Sequence, residues 1–576
     1  MGENAYVLLH LPVVMPNYRH FFLQTKFARN PCSDWISSKL PGLFALYRQI
    51  FLALLIFTFW GWGLAPAIAT STNLTQEYRD GGSSQILTKK PDSGTTQPST
   101  SIQPYLDQVT KNLTEFRLEN GMKFLVLKRQ KAPVVSFMTY VDVGGSDEVA
   151  GKTGISHFLE HLAFKGTTRI GTKDYQAEKP LLDQLEKLDQ QIRAARKAGK
   201  QEEVAKLEAT FAKVEAEAMK ISNQNEFGQI VEQAGGVGLN ANTSADATRY
   251  LYSFPANKLE LWMSLESERF LEPVLEREFY QEKQVILEER RLRVDNSPIG
   301  TMIEKFIETA FSVHPYKRPV IGYEEDIRNL TPQDLREFFQ AHYVPQNIAI
   351  AIVGDVDPQE VKRLAEIYFG RYKSRPEIAS KIPAEPKQTQ TREIKLELPS
   401  QPWYLEGYHR PALSHPDEAV YDIIGRLLSD GRTSRLYTSL VQNKKLALTA
   451  QGFSGFPGDK YPSLMLFYAL TAPGRTVDEV AIGLRQEIDR LKTEPVSSRE
   501  LERVKTKARA DLIRGLDSNM GMAEQLLEYE VKTGSWRNLF QRVEQIAKVT
   551  PQDIQRVAQA TFTENNRTVG KLLSKN

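Results

Sequence analysis

GISHFLEHLAFKGTT, residues 154–168, decides how the rest of the chain is read. Phe158, Leu159, Leu162 and Ala163 form an apolar stripe at helical spacing, Ser156 suits a helix start and Gly166 a stop. Helical residues four apart project from one face, so His157 and His161 can offer two imidazoles to one metal ion. Glu160 stands beside them, where a carboxylate can take a proton from metal-activated water. The chain has only eight histidines. Two of them at ligand spacing with a carboxylate between set this stretch apart from a helix whose histidines merely hydrogen-bond.

Further along lie two stretches that bear on the same chemistry. REFYQEKQVILEERRLRVD, residues 277–295, is strongly helical and carries Glu278, Glu282, Glu288 and Glu289. Seven residues make almost two turns, so Glu282 and Glu289 share a face while Glu288 points about 100° away. GGVGLNANTSADATRYLYSFP, residues 235–255, fits two strands with polar alternation. Between the first stretch and these, residues 178–226 carry Leu181, Leu185, Leu188 and Ile192, then Val204, Leu207, Phe211 and Val214. With Ala198-Gly199-Lys200 in the middle, this predicts an antiparallel helical hairpin, coiled-coil-like, with one apolar seam.

The order H-x-x-E-H reverses the H-E-x-x-H signature and is that of the inverzincins. HFLEHLAFKGT resembles the active-site helix of the pitrilysin (insulinase-like) zinc peptidases, the processing-peptidase branch in particular. The resemblance runs from about residue 114 to the C-terminus, apart from the hairpin. It implies that His157 and His161 bind one Zn2+ per chain and that Glu160 is the general base. VILEE resembles the stretch that gives such enzymes their third ligand, which makes Glu289 the ligand here and Glu282 a carboxylate that orients an imidazole. His161 and Glu289 are 128 residues apart, more than the family norm, and the hairpin accounts for the surplus. Residues 239–244 resemble the edge strand to which substrate adds as a further strand, so Asn240, Ala241, Asn242 and Thr243 are the substrate-binding candidates.

The chain echoes itself. Thr331-Pro-Gln-Asp-Leu recurs as Thr550-Pro-Gln-Asp-Ile, and at the same spacing of 219 residues Ala341, Tyr343 and Asn347 match Ala560, Phe562 and Asn566. An internal duplication therefore ends two halves. Neither half alternates as a doubly wound sheet does, so the fold class is α+β: two homologous α/β sandwich domains plus the inserted hairpin. The boundaries are 111–378 for the N-terminal metallopeptidase domain (insertion 178–226), 379–391 for a linker and 392–576 for the C-terminal domain. Strands fit at 115–118, 123–128, 134–143, 347–354, 392–398, 446–455 and 463–471. Helices fit at 331–340, 417–428, 476–491 and 498–516.

Ahead of these, residues 1–49 are basic and acid-poor, and IFLALLIFTFW (50–60) runs on loosely to Ala67-Ile68-Ala69. This reads as an export signal cleaved after Ala69; the alternative is an uncleaved anchor over residues 50–68. Either places the bulk of the chain in the periplasm, the cell envelope or the medium. Residues 70–110, rich in Ser, Thr, Gly and Pro, read as a flexible linker. A net charge of +3 from 74 basic and 71 acidic residues gives no case for nucleic acid. The single cysteine, Cys32, excludes a disulfide framework, a thiolate metal site and a cysteine nucleophile in the exported part.

The second half departs from the family. Where active relatives carry an Arg and a Tyr that face substrate, VQNKKLAL (441–448) has Val441 and Leu448; Arg435 and Tyr437 lie too early to be that pair. The function expected is a zinc-dependent metalloendopeptidase acting on peptides or unfolded segments, its zinc-bound water activated by Glu160, between halves that close like a clamshell. It is expected to work with a related subunit that carries the Arg and Tyr, as a heterodimer, or else as a homodimer. The alternatives are a non-catalytic partner subunit and an envelope binding or scaffolding protein.

Overall fold

Residues 103–374 and 382–575 are described by the computed structural model of the chain. The export signal or anchor, the linker up to residue 102 and the first part of the linker at 379–391 lie outside the described residues. Asn120-Gly121 turns β1 (Leu113–Arg117) back on β2 (Lys123–Lys128) as an antiparallel pair. With β3 (Val134–Val141), β4 (Val237–Thr243), β5 (Thr248–Pro255) and β6 (Ile348–Gly354) they make one six-stranded sheet, ordered β1-β2-β6-β3-β5-β4. Strand position follows side-chain content. IAIAIVG of β6 is buried throughout and sits in the middle, while the polar VGLNANT of β4 is mostly open and forms an edge.

The second sheet holds β7 (Arg392–Leu398), β8 (Trp403–Arg410), β9 (Ala447–Phe456), β10 (Ser463–Thr471) and β11 (Arg567–Ser574), ordered β7-β11-β8-β10-β9. This is the order β2-β6-β3-β5-β4 over again. The pattern of pairing also repeats, parallel for β2 with β6 and β7 with β11 and antiparallel for the rest. The duplicated helices begin with the same capping box, Thr331 with Asp334 and Thr550 with Asp553. After them Asn347 donates to the His342 carbonyl (3.1 Å) and Asn566 to that of Thr561 (2.9 Å). The expected α+β class and its duplication are thus what the chain adopts.

Each half also lends a helix to the other. Pro298–Ala310 of the first half packs on β7 and β11, and Asn519–Thr533 of the second packs on β3 and β6. Phe306 fills the space over Gly407 and Gly570, where a Cβ would stand 3.0 Å from the ring. Buried ion pairs join Arg249 to Glu528 and Lys123 to Glu530 across the same boundary. A clamshell that opens between the halves of this chain does not fit this exchange. Burial of a helix on the partner sheet makes the two halves one body.

Other differences from the sequence reading have local causes. The linker read over 70–110 ends early, because Gln103–Asn112 is helical and buries Val109. Strands β8 and β11 escape pattern reading: WYLEGYHR and RTVGKLLS carry charges and an inner glycine yet are largely buried. Glu406 in β8 is tolerated because the Tyr404 and Tyr408 hydroxyls and Arg485 all bond its carboxylate. The hairpin forms from Tyr175–Lys197 and Gln201–Ile221, with Leu182 buried and Leu181 only half-buried beside it. Its base packs on Val274 and Tyr280 of the body, whereas Ile192, Ala195 and Val204 near the tip pack among themselves.

Candidate active site

The site is mounted on the helix Ile155–Leu162, which buries Phe158, Leu159 and Leu162 against the first sheet's core. Its start differs from the sequence reading. Gly154, at φ +84°, is the cap residue, and Glu148 does the capping, accepting from the Gly154 and Ser156 amides at 2.8 and 2.9 Å. Ser156 instead donates to the Gly144 carbonyl. Phe279–Arg290 lies alongside, Phe279 stacking on Phe158, and continues into a wider π-helical turn, Arg291–Asp295.

Together these helices assemble His157, His161 and Glu289. Their candidate ligand atoms lie within 4.8 Å of one another, the one such group of three among the described residues. His157 Nε2 is 3.7 Å from one Glu289 oxygen and His161 Nε2 3.6 Å from the other. Ligands on a tetrahedral zinc stand about 3.4 Å apart, so the two separations from Glu289 are within a few tenths of an ångström of what such an ion needs. The donor chemistry fits as well. His161 Nδ1 is 3.0 Å from a Glu282 oxygen, which makes Nδ1 an N–H donor and turns Nε2 toward the group; an ion binding there would displace the Nε2 proton. Glu282 is held in turn by Lys165, 2.5 Å from its other oxygen, and Lys165 also reaches Glu278. Glu288 points outward and pairs with Arg291.

Electrostatics separate the members. Burial, with the charge of neighbouring His161, holds His157 down at about 3 and therefore neutral. Burial works to lower His161 too, but Glu282, Glu289 and Glu160 outweigh it and raise it to about 9. Burial alone would raise Glu289; His161, His157 and Arg293, whose guanidinium is 2.7 Å away, bring it down to about 2. Glu160 goes the other way. Burial raises its carboxyl, against the hydroxyl of Thr243, which donates to it at 2.6 Å.

Asn240, Ala241, Asn242 and Thr243 all fall on β4, at the edge of the sheet, and the site helix packs beside it. Asn242 accepts from Arg249 at 3.0 Å. Sequence reading did not pick out Lys165 or Arg293 as members of the site. The one signal for Arg293 is its place four residues after Glu289; Lys165 lies beyond the end of its helix and gives none. Val441 lies in the turn Tyr437–Asn443 and Leu448 is exposed on β9, while Arg435 is spent on Glu500 at 2.8 and 3.0 Å. His314 is away from this group, its Nδ1 accepting from the Tyr316 amide.

Residues 123–197 and 217–324 match "Insulinase (Peptidase family M16)", and residues 329–508 match "Peptidase M16 inactive domain". The break at 197–217 falls on the hairpin. Zinc protease PqqE of Helicobacter pylori is 31% identical over 457 residues, 78% of this chain and 90% of its own length. The probable mitochondrial-processing peptidase subunit beta of Schizosaccharomyces pombe is 26% identical, over 77% of this chain and 87% of its own. Among solved structures, a protease from Helicobacter pylori superposes with a TM-score of 0.68 at 29% identity, covering 80% of this chain and 99% of that one. The peptidase M16 inactive domain from Pseudomonas fluorescens gives 0.65 at 16% identity, covering 81% and 98%, a likeness of fold.

Proposed function

This chain belongs to the insulinase family of peptidases, M16, and from that premise we propose that it is a zinc-dependent metalloendopeptidase acting on peptides or unfolded segments. The observation that carries the proposal is the convergence of His157, His161 and Glu289 beside Glu160. His157, His161 and Glu289 would hold the ion. Zinc bound there supplies a Lewis acid that acidifies water and polarises a peptide carbonyl. Glu160 takes the proton from the attacking water and delivers it to the leaving amine. Glu282 keeps His161 turned with Nε2 inward, and Lys165 keeps Glu282 in place. The open side of β4 would bind the peptide as an added strand, through backbone groups of Asn240, Ala241, Asn242 and Thr243.

The test is to purify the exported part, measure zinc by elemental analysis and assay cleavage of unstructured peptides. Close to one zinc per chain is expected, lost in His161→Ala together with activity. A variant that kept full metal would refute the site.

A related partner subunit completes the reading. Val441 and Leu448 have neither the forked cation nor the hydroxyl that the family resemblance leads one to expect there. Oxyanion donors are worth roughly a hundredfold in rate or more. The interlocked halves support a partner outside this chain as the closing element. Activity on peptides should rise sharply when a related chain bearing the Arg and Tyr is added; high activity alone would refute it. Export rests on residues 50–69, and N-terminal sequencing from the native host should find a start at residue 70.

A further inference from the structure

We propose that the Thr243 hydroxyl is a positioning group that aims the Glu160 carboxylate, so that the strand proposed to receive substrate also sets the base. The inference rests on the reading of Glu160 as the base. Thr243 Oγ1 stands 2.6 Å from Glu160 Oε2, in the range of a charge-assisted O–H···O bond. The direction of that hydrogen is fixed by its neighbour. Thr248 donates its own hydroxyl hydrogen to the Val143 carbonyl at 3.0 Å and approaches Thr243 Oγ1 only at 3.5 Å. The near carboxylate therefore takes the Thr243 hydrogen. With Oε2 occupied, proton transfer falls to Oε1.

The mount is rigid. Thr243 ends β4, paired with Thr248, and the turn between them is closed by the Ser244 amide on the Ala247 carbonyl (2.8 Å) and the Ala247 amide on Ser244 Oγ (3.1 Å). Asp246, buried at the tip, accepts from the Asp459 and Lys460 amides at 2.9 and 3.1 Å and from the Tyr316 hydroxyl. Through this turn the second half, which brings no ligand to the metal group, holds the group that aims the base.

Thr243→Val removes the hydroxyl at nearly constant shape; Thr243→Ser keeps it. In the zinc-loaded protein, with whatever partner activity requires, T243V should lower kcat about 10–100-fold with KM within a factor of three and zinc content unchanged. T243S should restore most of kcat. An effect on KM alone, loss of zinc in T243V, an unchanged kcat or failure of T243S to recover would each overturn the proposal. Crystal structures of zinc-loaded wild type and T243V read the same point without turnover. Glu160 should hold one orientation on Thr243 in the first and turn away or split in the second; the same single orientation in both would overturn it. A wild type that cleaves no peptide counts against the peptidase reading, and the two structures still decide whether Thr243 aims Glu160.

Discussion

Glu160, Glu282 and Glu289 all act on His161, and what separates them is the partner each carboxylate already has. Glu289 lies between the two Nε2 atoms with Arg293 behind it, Glu282 lies on the far nitrogen of His161 with Lys165 behind it, and Glu160 takes the Thr243 hydroxyl. Changing each should fail in a different way. Glu289→Gln should weaken zinc binding by more than the ~10–100-fold typical of a residue that only supports a ligand, whereas Glu288→Gln, on the outer face with Arg291, should leave it unchanged; competition with a chelator measures both. Glu160→Gln should retain zinc and lose roughly 10²–10⁴-fold in kcat, the usual share of a general base. His157, Glu160 and His161 can be picked out in one line of sequence because helix geometry alone places them together. Lys165 could not be, since its carboxylate partners sit at the cap and in the first turn of another helix more than a hundred residues away.

The placing of the site helix depends on its first residue. Gly154 has φ +84°, and a Cβ there would stand 2.6 Å from the Ile321 carbonyl oxygen, against backbone that cannot swing aside. Gly151 has the same φ of +84° with nothing within 4 Å of its Cβ position. The pair separates two costs. Gly151→Ala should lose only the left-handed strain, about 1–2 kcal/mol, while Gly154→Ala adds a backbone clash and should lower the melting temperature considerably further. Equal losses by calorimetry would show that the close approach to Ile321 does not matter. Pattern reading put Ser156 at the cap; a carboxylate six residues ahead of Gly154, folded back by a loop, does that work. Local propensity cannot register a cap delivered from a distance.

Across the whole molecule, exchanged helices and buried ion pairs hold the halves together, and the pairs make that join sensitive to acid. Burial would raise Glu528, but Arg249 and Lys532 outweigh it and bring it to about 2, against an ordinary value of 4.5. A carboxyl depressed on folding stabilises fully above its unfolded value and loses that contribution as pH falls from about 4.5 toward 2, here at most about 3 kcal/mol. Glu528→Gln should melt lower than wild type at pH 7, and its melting temperature should fall less between pH 5 and pH 3. Parallel pH curves for the two proteins would remove Glu528 from the account of the interface.

By itself the sequence determined the site helix, the helical hairpin and the duplication, because each is written in short-range periodicity or in a repeated phrase such as Thr-Pro-Gln-Asp. An edge for β4 followed from the family resemblance, and its mostly open, polar VGLNANT does lie at the edge of the sheet. Only the tertiary structure decided how Glu289, which the resemblance singled out, comes to lie against histidines 128 and 132 residues before it, that β8 and β11 are strands despite their charges, and that each half covers the other's sheet. These depend on burial and ion pairing between segments far apart in the chain, a free energy that no window of neighbouring residues contains.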